Sequence, residues 1–115
     1  IAPYNFIGGG CGNFINSATA ECSNVIVGGV ANTSSGAFSG ILGGKNNNIN
    51  NHTCSFIVGA DITSTANCTT FVNNFHSTGS NGSSNVVILA NLPTSDPGVA
   101  GQVWRSGNDL KISTG

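Results

Sequence analysis

The chain is 115 residues long with a mass of 11.5 kDa, which corresponds to one small domain. Three cations and four anions give a net charge of -1, which excludes the basic surface that nucleic-acid backbone binding requires. The longest apolar runs are five residues or fewer, whereas a membrane span needs about 20.

Gly, Asn, Ser and Thr make up half of the chain, with 17, 17, 14 and 10 residues respectively. This composition disfavours helix throughout. Disorder is not expected either, because 38% of the residues are apolar and only 6% are charged. The chain begins Ile1-Ala2-Pro3 without Met and without a signal-like segment, so we interpret it as a processed or excised fragment.

A short phrase recurs along the first part of the chain: a few apolar residues followed by small residues, mostly glycine. Its copies are Phe6-Ile7-Gly8-Gly9-Gly10, Val25-Ile26-Val27-Gly28-Gly29, Gly40-Ile41-Leu42-Gly43-Gly44, Phe56-Ile57-Val58-Gly59-Ala60 and the degenerate Thr70-Phe71-Val72-Asn73-Asn74. The successive copies are 19, 15, 16 and 14 residues apart. Such a period is typical of a repeat protein in which each unit stacks on its copies.

The unit is too short for a propeller blade and lacks the helix of a leucine-rich repeat. We therefore predict an all-β fold over residues 1–74, a short-rung parallel β-solenoid or β-roll. Its glycines would form the sharp corners, and its Asn side chains would pair from rung to rung. The alternative is a β-sandwich with Gly-rich turns, whose strands would alternate over longer runs.

From Phe75 the repeat stops, and we predict a C-terminal cap over residues 75–115, since an open last rung would invite pairing with other chains. Residues 76–84 have the composition of a loop. The most apolar segment, Val86-Val87-Ile88-Leu89, predicts a strand, and Pro93 and Pro97 bracket a turn. Residues 102–112 predict a β-hairpin closed by a Gly/Asn turn.

The Gly-Gly-x-x-Asn units resemble the head repeats of trimeric autotransporter adhesins and those of bacteriophage tail-fibre and virion-fibre proteins. The ending, residues 92–104 (LPTSDPGVAGQVW) followed by residues 110–113 (LKIS), resembles a C-terminal signature of structural proteins from phages and other aquatic viruses. The resemblance implies a fibre of three identical chains. The chain differs from the adhesins in having no coiled-coil stalk and no membrane anchor, so an adhesin head is the second reading.

Four cysteines, Cys11, Cys22, Cys54 and Cys68, lack the spacing of a zinc site or of a redox motif. Cys54 and Cys68 each precede a repeat valine by four residues, so they would lie on adjacent rungs about 4.8 Å apart. We favour the disulfide pairs Cys11 with Cys22 and Cys54 with Cys68. The alternative is four buried thiols that serve as small apolar residues. Disulfides would place the protein outside the cytosol or on a virion surface.

Catalytic candidates are few, and we predict no enzyme activity, no cofactor and no metal site. The four acids do not share a repeat phase, and no nucleophile-elbow phrase is present. The two histidines, His52 and His76, are most simply solvated loop residues; around a threefold axis they could hold a metal or an anion.

Three function classes remain. The first is a structural fibre component of a virion, a homotrimer at the virion surface that contacts other virion proteins and a host glycan or receptor, without nucleic-acid or membrane binding. The second is a glycan-binding adhesin head, in which exposed Tyr4, His76 or Trp104 would stack on sugar rings. The third is an ice-binding solenoid, which requires a file of Thr in every rung; only Thr63-Ser64-Thr65 has that local pattern.

Overall fold

The computed structural model describes residues 4–17, 23–79 and 87–115. The chain divides into two compact units, residues 1–75 and 76–115, which are described separately below. The described residues form strands, turns and bends without any helix, and thus without one that could cross a bilayer.

The first unit is a parallel β-solenoid, as the repeat predicts. Its strands are β1 (Phe6–Ile7), β2 (Phe14–Ile15), β3 (Val25–Ile26), β4 (Thr33–Ser34), β5 (Gly40–Ile41), β6 (Asn48–Ile49), β7 (Phe56–Val58) and β8 (Thr70–Val72). Sheet 1 has the order β1-β3-β5-β7-β8, and sheet 2 has the order β2-β4-β6; all pairs are parallel. Each of the first three coils, here called rungs, contributes one strand to each sheet. Rung 4 contributes β7 to sheet 1, and Thr63 bridges to Asn48 of β6.

The register of sheet 1 matches the recurring phrase residue for residue: Phe6 pairs with Val25, Val25 with Gly40 and Gly40 with Phe56. Sheet 2 was not predicted as strands. Its segments are only two residues long and share no apolar pattern: β2 is Phe14–Ile15, β4 is Thr33–Ser34 and β6 is Asn48–Ile49. Stacking on the neighbouring rung supplies their pairing instead.

The interior of the solenoid is apolar because one residue of each short strand in sheet 1 points inward. Ile26, Ile41 and Ile57 occupy this position, lie in register and are fully buried. Ile49 of sheet 2 belongs to the same core cluster and is equally buried. Burial of one such side chain contributes about 1.5–3 kcal/mol, so this file of isoleucines is the main apolar support of the coil.

A file of buried Asn side chains, the Asn ladder, lies at the corner before the strands of sheet 2. The Nδ2 group of Asn47 donates to the carbonyl of Gly43 in its own rung at 2.9 Å and to that of Gly59 in the next at 2.7 Å. The Asn47 backbone N–H donates to Oδ1 of Asn32 at 3.0 Å. The ladder therefore satisfies buried backbone groups of adjacent rungs, mainly through side-chain to backbone bonds.

The corners use left-handed backbone at equivalent positions. After the glycines, φ is +67° at Gly12, +53° at Ala31 and Asn46, and +58° at Asp61; before sheet 1, φ is +53° at Phe38, Cys54 and Cys68. A Cβ at Gly29 would collide with the carbonyl oxygen of Gly44 in the next rung. Glycine is required there because adjacent rungs approach so closely.

Residue changes close the C-terminal end of the coil. Ile62 occupies the ladder position that Asn47 has one rung earlier, so the file of side-chain amides stops there. Asn73 follows β8 where Gly59 follows β7. Its Oδ1 accepts the Ala60 N–H at 2.7 Å and its Nδ2 donates to the Ala60 carbonyl at 3.1 Å. The Asn73 side chain thus pairs with backbone as another strand would.

The second unit contains the predicted hairpin, β9 (Val103–Ser106) and β10 (Asp109–Ile112), paired antiparallel around Gly107-Asn108. The pairing continues beyond the strands, since the Ser113 N–H donates to the carbonyl of Gln102 at 2.9 Å. A two-stranded hairpin is marginal on its own, so further contacts are needed to hold it.

The strand predicted for residues 86–89 is wrong for the described part, residues 87–89, which form no strand. Their side chains are exposed, and Ile88 is 81% accessible. An apolar run has β propensity only where a neighbouring strand pairs with it, and the described residues supply none to this segment.

Candidate functional site: the outer faces of the solenoid

The outer surface of sheet 1, here called the apolar face, carries large apolar side chains on every rung. In each strand the residues on either side of the buried position point outward. The side chains of this face, with their exposed fractions, are Phe6 (57%), Val25 (40%), Val27 (48%), Leu42 (61%), Phe56 (46%), Val58 (43%) and Val72 (42%). The same phrase that builds the core therefore builds an exposed apolar surface.

The apolar face is continuous from rung to rung. Val58 and Val72 are in register, and the backbone of Leu42 donates to Ile57 of the following rung at 3.1 Å. At Gly40, which has no side chain, the phenyl ring of Phe56 covers the gap; a Cβ there would lie 3.0 Å from the ring. Five strands about 4.8 Å apart extend the face over about 20 Å. An uncharged apolar patch of this kind is typical of a protein interface.

The outer surface of sheet 2 is polar by contrast. Its outward side chains on rungs 2 to 4 are Thr33, Ser35, Asn48, Asn50, Thr63 and Thr65, in register across the strands. An ice-binding face requires Thr in every rung, but one file here reads Phe14, Thr33, Asn48 and Thr63. The described rungs therefore do not form the regular Thr array that the third function class needs.

Two of the predicted disulfide cysteines lie on neighbouring rungs. Cys54 and Cys68 have the same φ of +53°, each two residues before a strand of sheet 1, and both are exposed. The Cys68 N–H donates to the carbonyl of Thr53 at 2.9 Å, which places the two corners side by side. Cys11 is exposed and bridges to Val30 of the next rung, and its predicted partner Cys22 lies outside the described residues. The structure has Cys11, Cys54 and Cys68 as free thiols.

The predicted recognition residues have different environments. His76 is exposed at the start of the second unit, and Tyr4 is 73% exposed. Trp104 is half-buried in β9 opposite Lys111 of β10, and its Nε1 is buried without a hydrogen-bond partner in the described structure. Trp104 is therefore less accessible to a sugar ring than the sequence predicts. Part of the Trp104 indole is covered within the hairpin unit, and the rest is exposed to solvent.

Ionisable groups form local hydrogen bonds. The side chain of Asn46 donates to Asp61 Oδ1 of the next rung at 2.9 Å. The His52 Nδ1 atom lies 2.7 Å from the Ser64 hydroxyl. The Ser113 hydroxyl and the Gly98 backbone N–H lower the pKa of Asp96 below its ordinary value. Within the described ranges, no three His, Cys, Asp or Glu residues are placed to hold a metal ion.

Comparison of the chain with protein-family models, curated proteins and solved structures finds no match. The function is therefore inferred from the residues and the geometry of this chain. The sequence analysis did not separate the two faces of the strand phrase, in which isoleucine points inward and its neighbours point outward. The alternation of the side chains around Ile26, Ile41 and Ile57 was the available signal.

Proposed function

We propose that the protein is a structural fibre component of a virion, assembled as a parallel homotrimer through the apolar face. The observation that carries this proposal is the contrast between the two faces of one coil. Leu42 and Val58 leave sheet 1 apolar outside, while Asn48 and Thr63 make sheet 2 polar. Three identical coils can bury sheet 1 around a common axis and leave sheet 2 in water.

The construction of the coil suits a persistent fibre. Its rungs are joined by parallel backbone bonds, and the Asn ladder satisfies the carbonyls at the corners. Coils with paired backbone groups resist unfolding and proteolysis. The resemblance of the Gly-Gly-x-x-Asn units to virion-fibre repeats supports the same role. A covalent bond between the corner thiols of Cys54 and Cys68 would add to it.

We propose that recognition of a host glycan or receptor resides in the second unit, outside the repeat. His76 and Trp104 lie there, where the sequence is free to vary without breaking rung stacking. We assign no catalytic step to the protein. The residues of the coil provide a regular stacked shape and resistance to unfolding and proteolysis.

The test of assembly is the solution mass of the protein and of two matched variants. Light scattering of the unchanged protein at micromolar concentration should give three times the chain mass of 11.5 kDa. Leu42→Lys with Val58→Lys, on the apolar face, should give monomers, because three buried copies of each charge would lack partners. Asn48→Lys with Thr63→Lys, on sheet 2, should remain trimeric. A monomeric unchanged protein, or a trimeric Leu42→Lys/Val58→Lys variant, contradicts the proposed interface.

The test of role is the location of the protein. Antibodies against the purified chain should label rod-like projections on virus particles in the electron microscope. Labelling of bacterial cell surfaces instead would favour the adhesin head.

A further inference from the structure

The two ends of the solenoid are built differently. At the C-terminal end, Ile62 ends the Asn ladder and Asn73 pairs with the backbone of rung 4. Rung 1, residues 5–17, keeps the pattern of an internal rung, with Asn13 at the ladder position and Gly9-Gly10 at the corner. The Asn ladder therefore ends at rung 4, whereas rung 1 keeps the ladder residue of an interior rung; β1 and β8 are both edge strands of sheet 1.

None of the described residues pairs with the outer side of β1. The Phe6 N–H donates to rung 2 at 2.9 Å, and so does the Gly8 N–H. Because backbone groups alternate in direction along a strand, the N–H and carbonyl of Ile7 point away from rung 2. Ile7 is also 43% exposed, whereas its equivalent Ile26 is fully buried. Rung 1 thus presents both free backbone groups and an open end of the apolar core.

In rungs 2 and 3, the backbone N–H of the ladder residue donates to the side chain of the ladder residue one rung earlier. The Asn47 N–H donates to Oδ1 of Asn32 at 3.0 Å, and the Asn32 N–H donates to Oδ1 of Asn13 at 3.1 Å. The Asn13 N–H has no acceptor among the described residues. What rung 1 lacks is the side-chain acceptor that a preceding rung would supply.

Rung 1 also lacks the usual protection of a sheet edge. Edge strands are commonly guarded by charged residues, proline or bulges, which prevent pairing with another chain. Residues 5–17 contain no charged residue and no proline. Neither the residue types of rung 1 nor its backbone geometry prevents a partner strand from pairing with this edge.

We propose that rung 1 is a docking edge for one further coil of the same Gly–Asn repeat, added in parallel as another rung. The partner would carry Asn at the ladder position, opposite Asn13, and an apolar residue at the position that stacks on Ile7. Strand addition of this kind gains its affinity from backbone hydrogen bonds and its register from the side chains. This inference does not depend on the proposed trimer, which uses the apolar face.

The test is a full-length variant in which a second copy of residues 25–39 is inserted between Asn5 and Phe6. Hydrogen exchange should slow by about tenfold or more at the amides of Ile7 and Asn13, since both become paired. The matched control carries alanine at the inserted position that copies Asn32. It should protect Ile7 but leave Asn13 exchanging as in the unchanged protein.

Unchanged exchange at Ile7 in a folded N-terminal insertion variant would overturn the proposal. Loss of folding in that variant would overturn it equally, because an edge that accepts a rung in register is not destabilised by one.

Discussion

At the scale of single residues, buried side-chain amides hold the corners of the coil in place. Asn32 and Asn47 are 0% and 1% exposed, and their hydrogen bonds go to backbone groups of two rungs. Burial of a side-chain amide destabilises a protein unless its polar atoms form hydrogen bonds. Each of these amides donates to a carbonyl of its own rung and to a carbonyl of the next rung. This is why Asn, and not an apolar residue, fills an interior position.

Asn47→Ala should destabilise the protein by roughly 3 kcal/mol, because the carbonyls of Gly43 and Gly59 and the N–H of Ile62 all lose their partner. Chemical denaturation measures the change. The matched control is Asn50→Ala, an exposed position of the same coil, which should alter stability by about 0.5 kcal/mol or less. Equal effects of the two substitutions would contradict the role of the ladder.

Ser34 is the opposite case, a buried hydroxyl without a partner. It is fully buried at the core position that Ile15 and Ile49 occupy in the neighbouring rungs, and its Oγ makes no hydrogen bond to any described residue. Ser34→Ala should therefore raise stability by about 1 kcal/mol, since an unsatisfied polar group is removed.

The matched control for Ser34 is Ser55→Ala. The Ser55 hydroxyl donates to the carbonyl of Ala66 at 2.9 Å, so its removal should lower the melting temperature. If Ser34→Ala lowered the melting temperature by as much as Ser55→Ala, the unpartnered state of Ser34 would be refuted.

At the scale of elements, the corner before sheet 1 places Cys54 beside Cys68. We predict a disulfide between them under oxidising conditions, closing a 15-residue loop and adding on the order of 3 kcal/mol. Peptide mapping without reduction should recover the two cysteines linked, and Cys54→Ser should lower the melting temperature of the oxidised protein. Cys11→Ser tests the second predicted pair in the same way. Four alkylatable thiols in the native, unreduced protein would rule out both pairs.

In the hairpin unit, the hydrogen bonds of Asp96 depend on pH. The Ser113 hydroxyl and the Gly98 N–H bond the ionised Asp96 and lower its pKa below the ordinary value of 3.8. A depressed pKa stabilises the folded unit above pH 3.8, and this contribution is lost as the pH falls through the folded-state pKa.

As the pH falls below 3.8, the Gly98 amide signal should therefore shift as Asp96 takes up a proton. NMR titration measures this shift. Asp96→Asn should abolish the transition and leave the signals of the solenoid unchanged. A Gly98 transition centred above pH 3.8 would contradict the lowered pKa.

At the scale of the whole molecule, the two acids with described side-chain hydrogen bonds, Asp61 and Asp96, belong to different units. Asp61 is bonded to Asn46 in the solenoid unit, and Asp96 is bonded within the hairpin unit. Glycoside hydrolysis would need two carboxylates facing each other across a bond.

As the spacing of the four acids in the sequence predicts, we expect no hydrolysis of polysaccharide or peptide substrates, measured by release of reducing sugar or of free amine. Asp61→Asn with Asp96→Asn should leave the solution mass unchanged. A measurable glycan-cleaving activity that this double substitution removed would establish a catalytic site formed between chains. The structural role would then be wrong.

The local pattern was sufficient to predict the solenoid and the hairpin. The strand phrase repeats with its isoleucine at one phase, and Gly107-Asn108 separates two short strands. Both depend on neighbours in sequence or on equivalent positions of a repeat. Residues 86–89 were predicted from propensity alone, and that prediction is wrong for residues 87–89, because a strand exists only when another pairs with it.

By itself, the sequence determined the period and the parallel stacking, because a repeated unit carries its own register. Only the tertiary structure decided which residues of the strand phrase point inward, which polar residues become buried and where the Asn ladder ends. The ladder of Asn47, the closing bonds of Asn73 and the exposure of Leu42 all depend on groups in another rung. Such contacts arise only when the coils are stacked, since a single rung has nothing to bury and nothing to pair with.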